Sequence, residues 1–136
     1  MSWPIKVLLL ALGGALGANA RYWLGLWVAG WAGTRFPWAT LLINVSGSFL
    51  LGFLASAFDR WRPSPSPSSE ALTLLVLVGL LGGYTTFSTF ALESLRLWHE
   101  PSWIRSLGYL TLSATAGLLA ASLGVASARL LSDTLS

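Results

Sequence analysis

The sequence LLGGYTTFSTF, from Leu80 to Phe90, lies inside an apolar run that extends from Ala71 to Leu92 without a charged residue. A run of this length can cross a bilayer as a helix. Its centre holds paired glycines and four Ser or Thr residues, which weaken a helix and compete for its backbone hydrogen bonds. Broken backbone at membrane depth is tolerated only where it is buried in protein or lines a wet cavity. The stretch therefore predicts a helix break near 82–86 that forms either a packing seam or part of a pore, and we favour the pore.

The composition indicates an integral membrane protein. The chain has 136 residues, of which 54% are hydrophobic and 10% charged, whereas a soluble domain carries about 25% charged residues. Eight Trp residues suit the headgroup level of a bilayer. With no cysteine, one histidine and no paired acids, the sequence offers no constellation for catalysis. The net charge of +3 forms no cluster dense enough to indicate a nucleic-acid partner. We expect a single all-α membrane domain over 1–136 and no enzyme.

Four apolar segments predict four transmembrane helices, which cover about 4–28, 37–58, 71–98 and 103–131. The first segment imitates a signal peptide, because Lys6 precedes an apolar stretch that ends in a small-residue site at Ala18–Ala20. Apolar sequence resumes directly at Tyr22. This continuity favours an uncleaved first span.

Small residues predict two close helix contacts. Gly13 and Gly17 form the G-x-x-x-G pattern that lets helix backbones approach in a membrane. In the fourth span Tyr109, Ser113 and Gly117 follow one i,i+4 line that continues through small residues. That line predicts a smooth packing face with a polar end.

Polar residues inside the spans are candidate site residues. Thr40, Asn44 and Ser48 recur every four residues and share one helix face. For Thr40 and Ser48 a contact between helices is the favoured interpretation. Asn44 is costlier to bury and carries two amide donors, so we interpret it as a ligand for an anion. Arg21, in the first span, either snorkels to the interface or faces an aqueous vestibule.

Acidic residues bear on a rival function, that of a small multidrug exporter of similar size. Such a proton-coupled exporter needs an intramembrane carboxylate, and no acid lies between Met1 and Phe58. Glu93 lies near a helix end, where we interpret it as the partner of Arg96 in an interfacial ion pair. The exporter is therefore kept as the alternative. A non-transporting packing subunit is a second rival, which explains the glycines but not Asn44 together with a broken helix.

The positive charges do not orient the chain. Four spans place both termini on one side, and an excess of Lys and Arg normally marks the cytoplasmic side. The two sides carry Lys6, Arg60, Arg62 and Arg129 against Arg35, Arg96 and Arg105. A chain without an orientation bias can insert both ways and form an antiparallel two-fold dimer.

Three stretches carry recognisable motifs: GALGANARY from Gly14 to Tyr22, TLLINVSGSFLLG from Thr40 to Gly52, and GGYTTFSTF from Gly82 to Phe90. Together, in this order and across all four spans, they resemble the CrcB/Fluc family of fluoride channels. The resemblance implies an antiparallel dual-topology homodimer in a prokaryotic plasma membrane. It implies passive, fluoride-selective export through two pores, which relieves fluoride toxicity, and a central structural sodium ion.

The resemblance also implies which residues form the site. The expected pore residues are Asn44, Phe87, Phe90, Tyr109, Ser113, Thr40 and Arg21, and the expected sodium ligands are the backbone carbonyls of Gly82 and Thr85 in each subunit. The expected partners are the fluoride ion, the lipid bilayer and a second copy of the chain. The sequence departs from the pattern one turn after Ser113, where some relatives have a serine and this chain has Gly117, with Thr115 nearby.

Overall fold

The computed structural model describes residues 1–61, 66–99 and 103–135, and every regular element in these ranges is helical. Four helical segments are long and apolar enough to cross a membrane: Trp3–Ala32, Trp38–Arg60, Pro67–Trp98 and Trp103–Thr134. The prediction of an all-α protein with four spans is confirmed. Each span ends at or beyond the predicted residue, because the helix continues through the aromatic and polar residues that follow the apolar run.

The first two helices have ends that their sequences explain. Helix α1, Trp3–Ala32, has a proline in its first turn and ends at Gly33, whose φ of 73° is readily adopted by glycine. The N–H of Gly33 donates to the carbonyl oxygen of Ala29 at 3.1 Å. Helix α2, Trp38–Trp61, follows Pro37, whose carbonyl oxygen accepts from the N–H of Leu41.

The third span consists of several helical pieces. Its elements are α3 (Pro67–Leu72), a π-helix (Thr73–Leu81), α4 (Gly82–Tyr84) and α5 (Phe87–Trp98). The π-helix was not expected from the sequence, and wide turns of this kind are frequent near functional sites. The backbone leaves helical geometry only at Thr85 and Thr86, so the predicted break near 82–86 is confirmed and narrowed to two residues.

Glycines bring α1 against the third span. A Cβ on Gly13 would overlap the carbonyl oxygen of Leu75, and a Cβ on Gly17 would overlap that of Leu80. The backbones of α1 and the π-helix are therefore in direct contact, as the G-x-x-x-G pattern predicts. An ion pair between Lys6 and Glu70 joins α1 to α3, the helical piece that precedes the π-helix in the third span.

The most extensive helix contact joins α2 to α6, Trp103–Leu135. A Cβ on Gly52 would overlap the carbonyl oxygen of Ala121, and one on Gly124 would overlap that of Phe49. The predicted smooth face of the fourth span is therefore the surface that α2 covers. Arg60 and Asp133 pair at 3.0 Å at the end of this contact.

Few large side chains are buried. Leu41, Leu97 and Tyr109 form a small core beside the break, and long rows of Leu and Trp side chains face outwards, such as Trp23 at 64% exposure. An apolar exterior of this kind suits lipid and partner helices. The antiparallel dimer stays a prediction. Arg62, one of the positive charges that were compared between the two membrane sides, lies outside the described residues.

Candidate functional site

The break in the third span is held by its own Thr residues. Thr85 and Thr86 adopt extended backbone, with ψ of 160° and 115°. The hydroxyl of Thr85 donates back to the carbonyl oxygen of Leu81 at 2.9 Å, which closes the helix before the break. The Oγ1 of Thr86 accepts from the N–H of Thr89 at 3.2 Å and caps α5. The hydroxyl side chains therefore replace part of the backbone bonding that the break removes.

Asn44 of α2 fastens the break to the neighbouring span. Its Nδ2 donates to the carbonyl oxygen of Thr86 at 3.0 Å, and its Oδ1 accepts from the N–H of Thr86 at 2.9 Å. Gly47 lies about one turn after Asn44 on α2. It lets α2 approach the break, since a Cβ at this position would overlap the side chain of Thr85. The paired bonds fix the amide orientation and leave one N–H of Nδ2 unused.

Because the N–H of Thr86 donates to Asn44, a carbonyl oxygen earlier in the third span loses its helical hydrogen bond. In an unbroken helix this N–H would bind the carbonyl oxygen of Gly82, four residues earlier. Because it binds Asn44 instead, the Gly82 carbonyl loses its helical donor, and Gly82 is exposed. The carbonyl oxygen of Thr85, within the break itself, accepts from Nη1 of Arg21 at 3.3 Å. Arg21 is half-buried and its guanidinium reaches the break, whereas its place in an aqueous vestibule stays a prediction.

Aromatic rings continue from the break towards α6. Phe87 is 79% exposed, and its ring centroid lies 5.7 Å from that of Phe90 at an interplanar angle of 50°. Phe90 is in turn 5.3 Å from the buried ring of Tyr109. Both ring pairs are tilted rather than stacked, so Phe87, Phe90 and Tyr109 form a connected row of rings from the break to α6.

Glu93 differs from its sequence interpretation. Within the described residues it forms no ion pair with Arg96. Its Oε1 accepts from the hydroxyl of Thr40 at 2.9 Å, and its Oε2 accepts from the hydroxyl of Tyr109 at 2.9 Å. The carboxylate is therefore held inside the helix bundle by two of the expected pore residues.

The physical reason for this difference lies in the packing of α5. Glu93 lies one turn after Phe90, on the face that α2 and α6 cover. The hydroxyl groups of Thr40 and Tyr109 lie on that side and donate to it. Arg96 is exposed. The i,i+3 spacing from Phe90 was the signal in the sequence that placed Glu93 on the site face. The i,i+3 spacing to Arg96 instead led to the wrong prediction of an ion pair.

The hydroxyl oxygen of Ser113 is the one buried side-chain polar atom of the described residues that lacks a hydrogen-bond partner. It lies one turn after Tyr109 on α6, at the interface with α2. A hydroxyl that is buried without a partner costs free energy, so such a group calls for an explanation in a ligand or water. Thr115, which lies near Gly117 in the sequence, is exposed and donates to the carbonyl oxygen of Thr111 at 2.7 Å.

The structure brings part of the expected site together around one open cavity of about 280 Å³. Its lining residues are Asn44, Gly47, Ser48, Leu51, Leu77, Leu81, Gly82, Thr85, Thr86 and Phe87. The remaining expected residues lie around it: Arg21 on the α1 side, and Phe90, Thr40, Tyr109 and Ser113 towards α6. A second cavity of about 420 Å³, bounded by Asp59 and Arg129, shares Ser48 and Leu51 with the first.

The break offers main-chain carbonyl oxygens to a cation. Among the described residues no group of three His, Cys, Asp or Glu side chains is placed to hold a metal. The Gly82 carbonyl has lost its helical donor, and the Thr85 carbonyl keeps one lone pair beside its bond to Arg21. Hard cations take oxygen ligands of this kind. The donor set therefore fits a small hard cation, with two carbonyl oxygens from one chain.

Comparison with known proteins places the chain in a family. The family model described as CrcB-like protein, Camphor Resistance (CrcB) matches residues 8–125. A fluoride-specific ion channel of Magnetococcus marinus is 46% identical over 93% of this chain and 100% of its own. Fluoride-specific ion channels of Rhizobium meliloti and Hahella chejuensis are each 42% identical, over 88% and 96% of this chain and 93% and 99% of their own. From its four spans and its family, the chain is a multi-pass protein of a prokaryotic plasma membrane, and it belongs to the CrcB-like family.

Proposed function

We propose that the protein is a fluoride-selective ion channel that exports fluoride and thereby relieves its toxicity. The observation that carries the proposal is the clamp between Asn44 and Thr86, which fixes a helix break beside a cavity and leaves one amide N–H unused. The names of the relatives identify the ion. They are named as ion channels, which agrees with the expectation that the chain is not an enzyme.

The residues at the break suit a small, strongly hydrated anion. A conducting site has to replace water without binding the ion too tightly. The free N–H of Asn44 and the unpaired hydroxyl of Ser113 are mild donors of this kind. The edges of Phe87 and Phe90 add a weak positive potential, and their bulk narrows the space against larger anions. Arg21 contributes a full positive charge beside the break.

Glu93 adds a positioning role to this set. Its carboxylate accepts from Thr40 and Tyr109, so it holds both hydroxyls in fixed orientations within the bundle. We assign Glu93 to the support of the Tyr109 ring, which in turn packs on Phe90.

The working unit is proposed to be an antiparallel homodimer with two pores and passive electrodiffusion through each. The even distribution of positive charges supports insertion in both orientations. The exposure of Gly82 and of the Phe87 ring supports a second copy that covers this side of the break.

A sodium ion at the dimer axis is proposed to be held by the carbonyl oxygens of Gly82 and Thr85 from each subunit. When bound, it supplies positive potential and joins the two subunits. The chain's own contribution is to present these carbonyls. Asn44 diverts the donor of Gly82, and Arg21 approaches Thr85 from the other side.

Fluoride efflux from liposomes that contain the purified protein tests the function, with chloride efflux measured in parallel. Rapid fluoride efflux without chloride efflux is the expected result. A folded protein that releases neither ion contradicts the proposal, and equal release of both ions contradicts selectivity. Liposomes without protein are the control.

Proton-coupled export of a cationic drug is the second candidate, and one observation favours it. The carboxylate of Glu93 points between α2 and α6 rather than towards Arg96, and a carboxylate that faces other spans is what such an exporter requires. Uptake of a cationic dye into the liposomes that is driven by a proton gradient would support the exporter, provided that Glu93→Gln abolishes this uptake. Fluoride efflux that is independent of the gradient supports the channel.

A further inference from the structure

Gly117 leaves a gap in the line of hydroxyl groups along α6. Tyr109 and Ser113 lie one turn apart on the face towards α2, and the next position on that line has no side chain. Thr115 does not fill the gap, because it is exposed and its hydroxyl donates to its own helix. The donors along α6 therefore stop after Ser113.

Ser48 of α2 lies opposite this gap. A Cβ placed on Gly117 would have the Oγ of Ser48 as its only neighbour within 4 Å, at 3.7 Å. This is ordinary van der Waals contact, so the hydroxyl of Ser48 lies next to the space into which a serine at position 117 would project. The two helices are close here because Gly52 and Gly124 remove side chains from their contact.

The hydroxyl of Ser48 has no hydrogen-bond partner among the described residues. Ser46, two residues earlier on the same helix, instead donates to the carbonyl oxygen of Leu42 at 2.7 Å. Ser48 lines the cavity that Asn44 and Phe87 also line, and it lines the neighbouring cavity bounded by Asp59 and Arg129. Its hydroxyl is therefore a free donor where the two cavities meet.

We propose that Ser48 is an anion-binding residue of this chain, which supplies from α2 the donor that Gly117 omits from α6. The inference rests on the proposed function, because the ion it would contact is the permeating fluoride. A fluoride ion would pass from the Asn44 amide, one turn away on α2, to the Ser48 hydroxyl and onwards to the second cavity. The sequence interpretation of Ser48 as a contact between helices is replaced by this role.

Fluoride efflux from liposomes is measured for Ser48→Ala, Gly117→Ser and the double variant. We expect Ser48→Ala to slow efflux about tenfold, which corresponds to the loss of one hydrogen bond to the ion. Gly117→Ser in the Ser48→Ala background restores efflux to within about threefold of the original protein, because it returns a hydroxyl to the same space from the opposite helix. A purely structural role of Ser48 in α2 packing would not be rescued in this way.

Ser122→Ala is the matched control, since the hydroxyl of Ser122 is exposed on α6 and donates to Leu118 at 2.9 Å. Ser48→Cys keeps the branching of the side chain, with a slightly larger atom that is only a weak donor. It should therefore also lose efflux, and it provides a second test if the alanine variant folds poorly. The inference is overturned if the original protein conducts and the Ser48 variants conduct equally well, or if Gly117→Ser restores nothing. If the original protein itself releases no fluoride, it is the proposed function that fails, and the inference fails with it.

Discussion

The exchange of Asn44 for aspartate tests the centre of the candidate site with almost no change in shape. In the native chain Nδ2 of Asn44 donates to the carbonyl oxygen of Thr86 across 3.0 Å, and Oδ1 accepts from the N–H of the same residue across 2.9 Å. Aspartate retains the acceptor but sets a second oxygen against the Thr86 carbonyl. It also places a negative charge on the cavity.

Both effects have a magnitude. Leaving the Thr86 carbonyl without its donor costs about 1–3 kcal/mol. Repulsion between the carboxylate and an anion about 5 Å away amounts to about 3 kcal/mol at an effective dielectric constant of about 20. Since each 1.4 kcal/mol is about tenfold in rate, fluoride efflux should fall at least about 100-fold.

The assay is fluoride efflux from liposomes, read with a fluoride electrode, together with gel filtration of the solubilised protein. Asn44→Ala, which removes both bonds, should also lose efflux and should lower thermal stability. Asn19→Ala is the matched control, because the amide of Asn19 is exposed and donates only to Ala15 of its own helix at 2.9 Å. Efflux by Asn44→Asp within about threefold of the native protein would refute the assignment of Asn44 to the anion path.

Three further perturbations test separate parts of the structure. Phe87→Ile keeps apolar bulk but removes the ring edge, so fluoride efflux should fall about tenfold or more with the oligomer intact by gel filtration, and normal efflux would mean that the ring only packs. Removal of sodium from the purified protein should weaken subunit association in gel filtration, and unchanged association and efflux would argue against the central ion. Glu93→Gln and Tyr109→Phe should each lower the free energy of unfolding by about 1–3 kcal/mol, and the double variant by clearly less than the sum, whereas additive losses would mean that their 2.9 Å bond contributes nothing.

The close contact of Gly13 with the third span should be visible in thermal stability. A Cβ on Gly13 would overlap backbone of the third span, so Gly13→Ala should destabilise the fold by about 1–3 kcal/mol. Gly25→Ala, on the same helix with nothing within 4 Å of its Cβ, should have no such effect. Equal melting temperatures for the two variants would contradict the close approach of α1.

The spans, the break and the glycine contacts were determined by the sequence alone. Each rests on local chemistry: an uncharged run long enough for a bilayer, paired glycines followed by Ser and Thr, and small residues four apart. Gly13 could be assigned to a close contact because a missing side chain on a lipid-level helix has few other uses. The extent of the π-helix was not readable, since Leu and Val suit α- and π-helix alike.

The partners across the bundle were decided only by the tertiary structure. Asn44 binds the backbone of Thr86, a group that every residue carries, so no side-chain pattern could identify it. Arg21 reaches the Thr85 carbonyl, and Glu93 takes donors from α2 and α6 instead of Arg96 beside it. Sequence periodicity tells which face a residue occupies, but the identity of what faces it depends on how closely the helices approach. That distance is set here by glycines, from Gly47 at the break to Gly13 and Gly124 in the helix contacts.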